Sequence, residues 1–196
     1  MNNLALLPRA LGALFYYSPV EQINLATLNN LESLASAYQW QDMDTVNELI
    51  ISLQQDRYSA NKYNFSVLFE GQGEMLAPPW GSVYQNHENL VMGDSTAAYY
   101  QFLTRVGIDF DIKNQPLDHF GLMMWALALL IEEGNQVALV EFLSVHLLPW
   151  SGRYLELLQS NQESPFYADL AKLTELFLEQ IKSEIGLTIE PIRLYK

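Results

Sequence analysis

Two segments of this 196-residue chain hold residue types that could do chemistry. The first is Pro116-Leu117-Asp118-His119-Phe120-Gly121, where an aspartate and a histidine adjoin at the start of a strongly apolar run. An Asp-His pair suggests general-base catalysis. That chemistry needs a nucleophile and an orienting geometry, and residues adjacent in sequence do not face each other on a helix. Helix capping is the competing reading, with Asp118 accepting free backbone N–H groups and His119 projecting from the first turn. The second segment is Ala77-Pro78-Pro79-Trp80-Gly81-Ser82-Val83-Tyr84. Two prolines stiffen the backbone and remove donors, so this loop holds a shape without secondary structure. It either offers Trp80 and Tyr84 as rigid contact area for a ligand, or plugs the fold with them.

Other chemistry finds no residues to carry it. His87, His119 and His146 are far apart, with no His-Glu-x-x-His spacing. There is no cysteine, which removes disulfides, thiolate metal sites and cysteine nucleophiles. Gly71-Gln72-Gly73-Glu74 is too short and too acidic to cradle a phosphate, and no Gly-x-Ser-x-Gly is present. The expectation is a protein that is not an enzyme and uses no metal or cofactor.

The charge pattern says more. Acidic residues number 23 against 10 basic, a net charge of −13, which repels nucleic acid and anionic membrane surfaces and attracts cations. No basic residue lies between Lys62 and Arg105, where Glu70, Glu74, Glu88 and Asp94 fall. None lies between Lys113 and Arg153, where Asp118, Glu132, Glu133 and Glu141 fall. Both motif segments sit in these windows. If the two loops meet, they form an aromatic, acidic groove suited to a basic segment with an apolar continuation. Chance clustering among few bases is the competing reading.

The elements that must position these segments read as helices. Apolar periodicity predicts helices over 4–17, 27–38, 42–56 and 58–69. Residues 71–93, with Gly71, Gly73, Pro78, Pro79, Gly81 and Gly93, form the one long irregular stretch. A helix capped at Asp94-Ser95-Thr96 runs to Val106, and a loop covers 107–117. Asp118 is expected to cap a helix over 119–132. A helix over 136–148 is expected to stop at Pro149, with a short one over 151–160 after it. Ser164-Pro165 should open a long last helix ended by Gly186, before an extended tail packed on the surface. With 49% hydrophobic residues and no strand signals, the chain reads as one all-α globular bundle over residues 1–196. The longest apolar stretch, Gly121–Ile131, falls short of the roughly 20 residues of a membrane span. The start carries no basic segment before its apolar run, so no export signal is expected, and the protein is expected in the cytoplasm.

The motifs in order, Arg9-Ala10-Leu11-Gly12-Ala13-Leu14-Phe15-Tyr16-Tyr17, Pro78-Pro79-Trp80-Gly81-Ser82-Val83-Tyr84, Gly93-Asp94-Ser95-Thr96, Asp118-His119-Phe120-Gly121, His146-Leu147-Leu148-Pro149-Trp150-Ser151-Gly152-Arg153 and Ser164-Pro165-Phe166-Tyr167, resemble the TorD/DmsD family over nearly the whole chain. Met123-Met124, where other branches often carry a glutamate, favours the DmsD-like branch. The resemblance implies an all-α chaperone fold that exists as a monomer or a domain-swapped dimer. It implies binding of the twin-arginine leader of a molybdopterin oxidoreductase's catalytic subunit, here a dimethyl sulfoxide reductase, until the cofactor is loaded. Whether the Tat translocase is a further partner stays open. Two alternatives are an assembly factor gripping a folded reductase subunit and a helical hydrolase using Asp118 and His119. By position, the resemblance assigns leader contact to Phe65, Leu68, Phe69, Pro79, Trp80, Ser82, Tyr84, Asp118 and His119, with Arg9 and Tyr16 in the same pocket. The aromatics are expected to hold the leader's apolar part, and Asp118 with nearby acids to meet its arginines. Phe65 stands where a tryptophan is expected in this branch.

Overall fold

The structure, a computed structural model, describes residues 3–111 and 116–196. The part of the 107–117 loop at 112–115, like the first two residues, lies outside them. Every regular element among the described residues is helical, as the periodicity requires. In order the α-helices are α1 (Leu6–Tyr16), α2 (Gln22–Asn29), α3 (Glu32–Ser36), α4 (Met43–Gln55), α5 (Lys62–Phe69), α6 (Gly81–Gln85), α7 (Asp94–Val106), α8 (Phe120–Glu133), α9 (Gln136–Glu141), α10 (Leu148–Gln159) and α11 (Pro165–Ile185).

The apolar run read from the sequence becomes α8, buried on nearly every side and central to the bundle. A helix apolar all round has no face to offer water, so it must be wrapped by others. α1 packs along α8, α10 along α11, and α4 against α11. The α1–α8 approach is close because glycines face each other. A Cβ on Gly121 would stand 2.7 Å from the Gly12 carbonyl oxygen, and one on Gly12 would stand 2.5 Å from Cδ1 of Trp125. Phe15, on α1, is fully buried and meets Phe69, Phe120 and Tyr154 edge to face, with centroids 6.0, 5.1 and 6.4 Å away. That one side chain ties α5, α8 and α10 to α1.

Several boundaries differ from the sequence reading, each for a local reason. The helix expected over 27–38 is two short ones. Arg57 holds the end of α2, donating from Nε to the Leu28 carbonyl (2.6 Å) and from Nη2 to Asn29 Oδ1 (2.7 Å), and the chain breaks at Asn30. The segment over 58–69 is a 3-10 turn, Arg57–Ser59, followed by α5, which Asn61 caps by accepting from the Asn64 N–H. The irregular 71–93 stretch contains α6. Gly93, not Asp94-Ser95-Thr96, stands at the cap of α7, and Asp94 lies in its first turn, where an acid suits the helix dipole. Pro149 does not end a helix. A π-helical stretch, Phe142–Leu147, precedes it, with the Leu148 N–H reaching five residues back to the Leu143 carbonyl, and α10 runs on through Pro149. The wider turn accommodates a residue with no N–H and a ring that crowds the preceding turn.

The last helix begins and ends as expected. Ser164 Oγ accepts from the Tyr167 N–H, Pro165 follows, and Gly186 takes a left-handed conformation at the end. Beyond it the tail has no regular structure, and the Tyr195 N–H donates to the Tyr84 carbonyl at 2.9 Å. Among the described residues, no helix is long and apolar enough to cross a membrane.

Candidate functional site

The two motif loops meet. Gly81 N–H donates to the Asp118 carbonyl (3.1 Å) and Phe120 N–H to the Pro79 carbonyl (2.7 Å), so Trp80 and His119 face each other across a short antiparallel bridge. The Asp118 carboxylate closes the junction, Oδ2 accepting from the Ser82 N–H at 2.6 Å. Asp118 therefore does not cap α8, as the sequence suggested; it satisfies a free donor at the start of α6, on the other loop. His119 is the residue that caps α8, its Nδ1 accepting from the Gly121 N–H at 3.1 Å.

These bonds bear on the catalytic reading. In a general-base pair the carboxylate would orient the imidazole. Here the carboxylate of Asp118 bonds a backbone N–H on α6, and the Nδ1 of His119 is occupied by its own helix. Among the described residues no group of three His, Asp or Glu stands close enough together to hold a metal ion.

On one side of the junction lies a recess of roughly 460 Å³, lined by Tyr16, Phe65, Phe69, Glu70, Trp80 and His119. Its walls are aromatic. The His119 ring stands edge-on to Tyr16 (5.1 Å) and to Trp80 (5.8 Å), and Phe65 and Phe69 lie 5.0 Å apart. Tyr16 comes from the last turn of α1, which the buried Asn24 fixes by donating to the carbonyls of Ala13 and Tyr17 (3.2 and 2.8 Å). The lining contains one acid, Glu70, and no lysine or arginine.

Five of the sequence-selected residues thus share the recess: Tyr16, Phe65, Phe69, Trp80 and His119. The others sit elsewhere. Leu68, Pro79, Ser82 and Tyr84 are buried and outside its lining, Tyr84 stacked on Trp150 with centroids 5.4 Å apart. Asp118 is 3% exposed, and on the opposite side of the junction it lines a smaller cavity of roughly 130 Å³ with Tyr99 and His146. Arg9 is two turns along α1 from Tyr16, outside the recess lining, with its guanidinium paired to Glu132 through Nε at 2.9 Å. In the sequence Glu70 is one member of a base-free window; the signal that singles it out is its place directly after Phe65-x-x-Leu68-Phe69, at the end of α5.

Comparison with known proteins gives this geometry a family. The profile of the nitrate reductase delta subunit family matches residues 29–156. The chain is 32% identical to the Tat proofreading chaperone DmsD of Salmonella paratyphi A over 97% of this chain and 96% of that one. It is 30% identical to a protein of Haemophilus influenzae called a probable Tat proofreading chaperone DmsD, over 100% of this chain and 98% of that one. The chain belongs to the TorD/DmsD family. A similar fold is met in the crystal structure of an Archaeoglobus fulgidus protein described as a putative redox enzyme maturation protein. That structure has TM-score 0.54 and 19% identity, covering 87% of this chain and 91% of that one. The names of these DmsD relatives are those of chaperones rather than catalysts.

In this TorD/DmsD chain His119 also leaves a signature in stability. Burial lowers its pKa from the usual 6.5 to about 3, because nothing compensates the imidazolium for lost water. A folded-state pKa below the unfolded one means that the unfolded chain takes up the proton first. The stabilisation is therefore complete above pH 6.5 and drains away as pH falls from there toward 3. His119→Asn keeps a capping oxygen and removes the titration. Denaturant unfolding at pH 7 and pH 5 should show the wild type losing about 2 kcal/mol more than the variant.

Proposed function

We propose that this protein is a cytoplasmic maturation chaperone that binds the twin-arginine leader of a molybdopterin oxidoreductase's catalytic subunit, a dimethyl sulfoxide reductase, until its cofactor is in place. The observation that carries the reading is the recess where the two motif segments meet, walled by Tyr16, Phe65, Phe69, Trp80 and His119 with a carboxylate at its rim. Rigid aromatic walls take up the apolar part of a leader with little loss of side-chain entropy. The His119 ring, held neutral by burial, adds no positive charge to repel an arginine. The names of the DmsD relatives support the same client class.

In this reading Trp80 touches the leader, while Pro79, Ser82, Tyr84 and Asp118 position the loops that present it. The test is calorimetric titration with the leader of the reductase from the same organism, beside a twin-lysine version. Saturable binding that weakens with lysine is expected, because lysine cannot make the planar two-point contact of a guanidinium. Binding of neither peptide overturns the proposal. Trp80→Ala, half-buried at the recess, should weaken leader binding by about tenfold or more. Its melting temperature should fall by no more than about 5 °C. A large loss of melting temperature with binding intact would make Trp80 a plug of the fold instead.

A second reading, an assembly factor for a folded reductase subunit, draws on the match to the nitrate reductase delta subunit family. It predicts binding to the client after its leader has been removed, which the leader-binding reading does not.

A further inference from the structure

We infer that Glu70, together with the open carbonyl end of α5, is the acceptor for one guanidinium of the leader, and that Asp118 is not; this rests on the leader-binding reading above. Asp118 and Glu70 line different cavities. Asp118 is 3% exposed, gives Oδ2 to the Ser82 N–H at 2.6 Å, and faces the smaller cavity with Tyr99 and His146. Asp118 is absent from the lining of the aromatic recess. Glu70 is exposed and is the acid in the lining of the aromatic recess.

The backbone around Glu70 adds to its attraction. Glu70 is the cap residue at the C-terminal end of α5, and its N–H turns back to the Ser66 carbonyl at 3.1 Å. Among the described residues, no N–H or O–H donates to the carbonyls of Val67, Leu68 or Phe69 outside the helix ladder. A helix C-terminus carries a partial negative charge, and its last carbonyls seek donors. A guanidinium offers five N–H groups in a fixed fork, enough to bond a carboxylate and a carbonyl together. Ser66 Oγ, one turn back along α5, donates to Glu70 Oε2, and among the described residues no group donates to the other oxygen. The aromatic walls beside it then receive the flat face of the guanidinium or the apolar residues that follow.

The experiment is a double-mutant cycle on the full chain, read by calorimetry. Wild type, Glu70→Gln and Asp118→Asn are each titrated with the native leader and with two leaders in which one arginine is replaced by glutamine. Glu70→Gln should weaken the native leader by about tenfold, yet weaken one of the glutamine leaders by less than about twofold. Asp118→Asn should change all three leaders by the same factor, as a positioning residue would. Equal losses for Glu70→Gln on all three leaders, no loss on any, or coupling found at Asp118 instead, overturn the assignment while leaving the chaperone proposal standing. A wild type that binds no leader overturns that proposal itself. Glu70→Gln lies on the surface, so an unchanged melting temperature separates lost contact from lost fold.

Discussion

Trp150→Ala is expected to destabilise the protein by about 3–5 kcal/mol, the cost of emptying a large buried aromatic site. Trp150 is 1% exposed, and its indole N–H donates to the His146 carbonyl at 2.8 Å. Its ring also stacks on Tyr84, meets Phe120 edge to face at 6.0 Å, and lies so close over Gly81 that a Cβ there would be 2.7 Å from Cε2. Gly81 adjoins Trp80, so the same ring seats the loop that lines the recess. Urea unfolding should show the stability loss, and leader affinity should fall with it even though Trp150 is not in the recess lining. Trp150→Phe, which keeps the stack and loses the N–H bond, should recover much of both. Full leader affinity in a strongly destabilised Trp150→Ala would show that the loop holds its shape without this support.

Gly121→Val is the second large effect, at about 3 kcal/mol. The added Cβ would stand 2.7 Å from the Gly12 carbonyl and 2.8 Å from the Tyr16 Cβ, both on α1. Overpacking a tight contact costs about 1–3 kcal/mol, and here one contact is a helix backbone rather than a flexible side-chain end. Gly121→Ala gains back roughly 1 kcal/mol of helix propensity, so its loss should be smaller. Because Tyr16 is both the residue struck and a wall of the recess, Gly121→Val should also lower leader affinity. Thermal melts paired with titration check both; a stable Gly121→Val would mean that α1 and α8 can separate freely, against the packing described.

Composition and periodicity alone determine that this protein is helical, that the apolar run Gly121–Ile131 lies in a helix, and that Ser164-Pro165 opens a long final helix. These are local properties: an apolar face repeats every three or four residues whatever lies opposite, and serine then proline are favoured at a helix start. Two motif segments in windows without basic residues, one aromatic and one holding Asp118-His119, are also plain in the sequence. Only the tertiary structure decides what those residues do. The sequence places Asp118 next to the helix it precedes, yet the nearest unsatisfied donor in space is the Ser82 N–H, 36 positions away. Once the two loops pair through Trp80 and His119, the Asp118 carboxylate bonds that donor, and His119 takes over the cap of α8. The same pairing divides the acids, burying Asp118 on one side and leaving Glu70 open on the other. The passage of the helix through Pro149 was equally out of reach, because it depends on a π-helical turn before the proline. Which side of a junction a charge ends on is set by long-range packing, and no spacing along the chain encodes it.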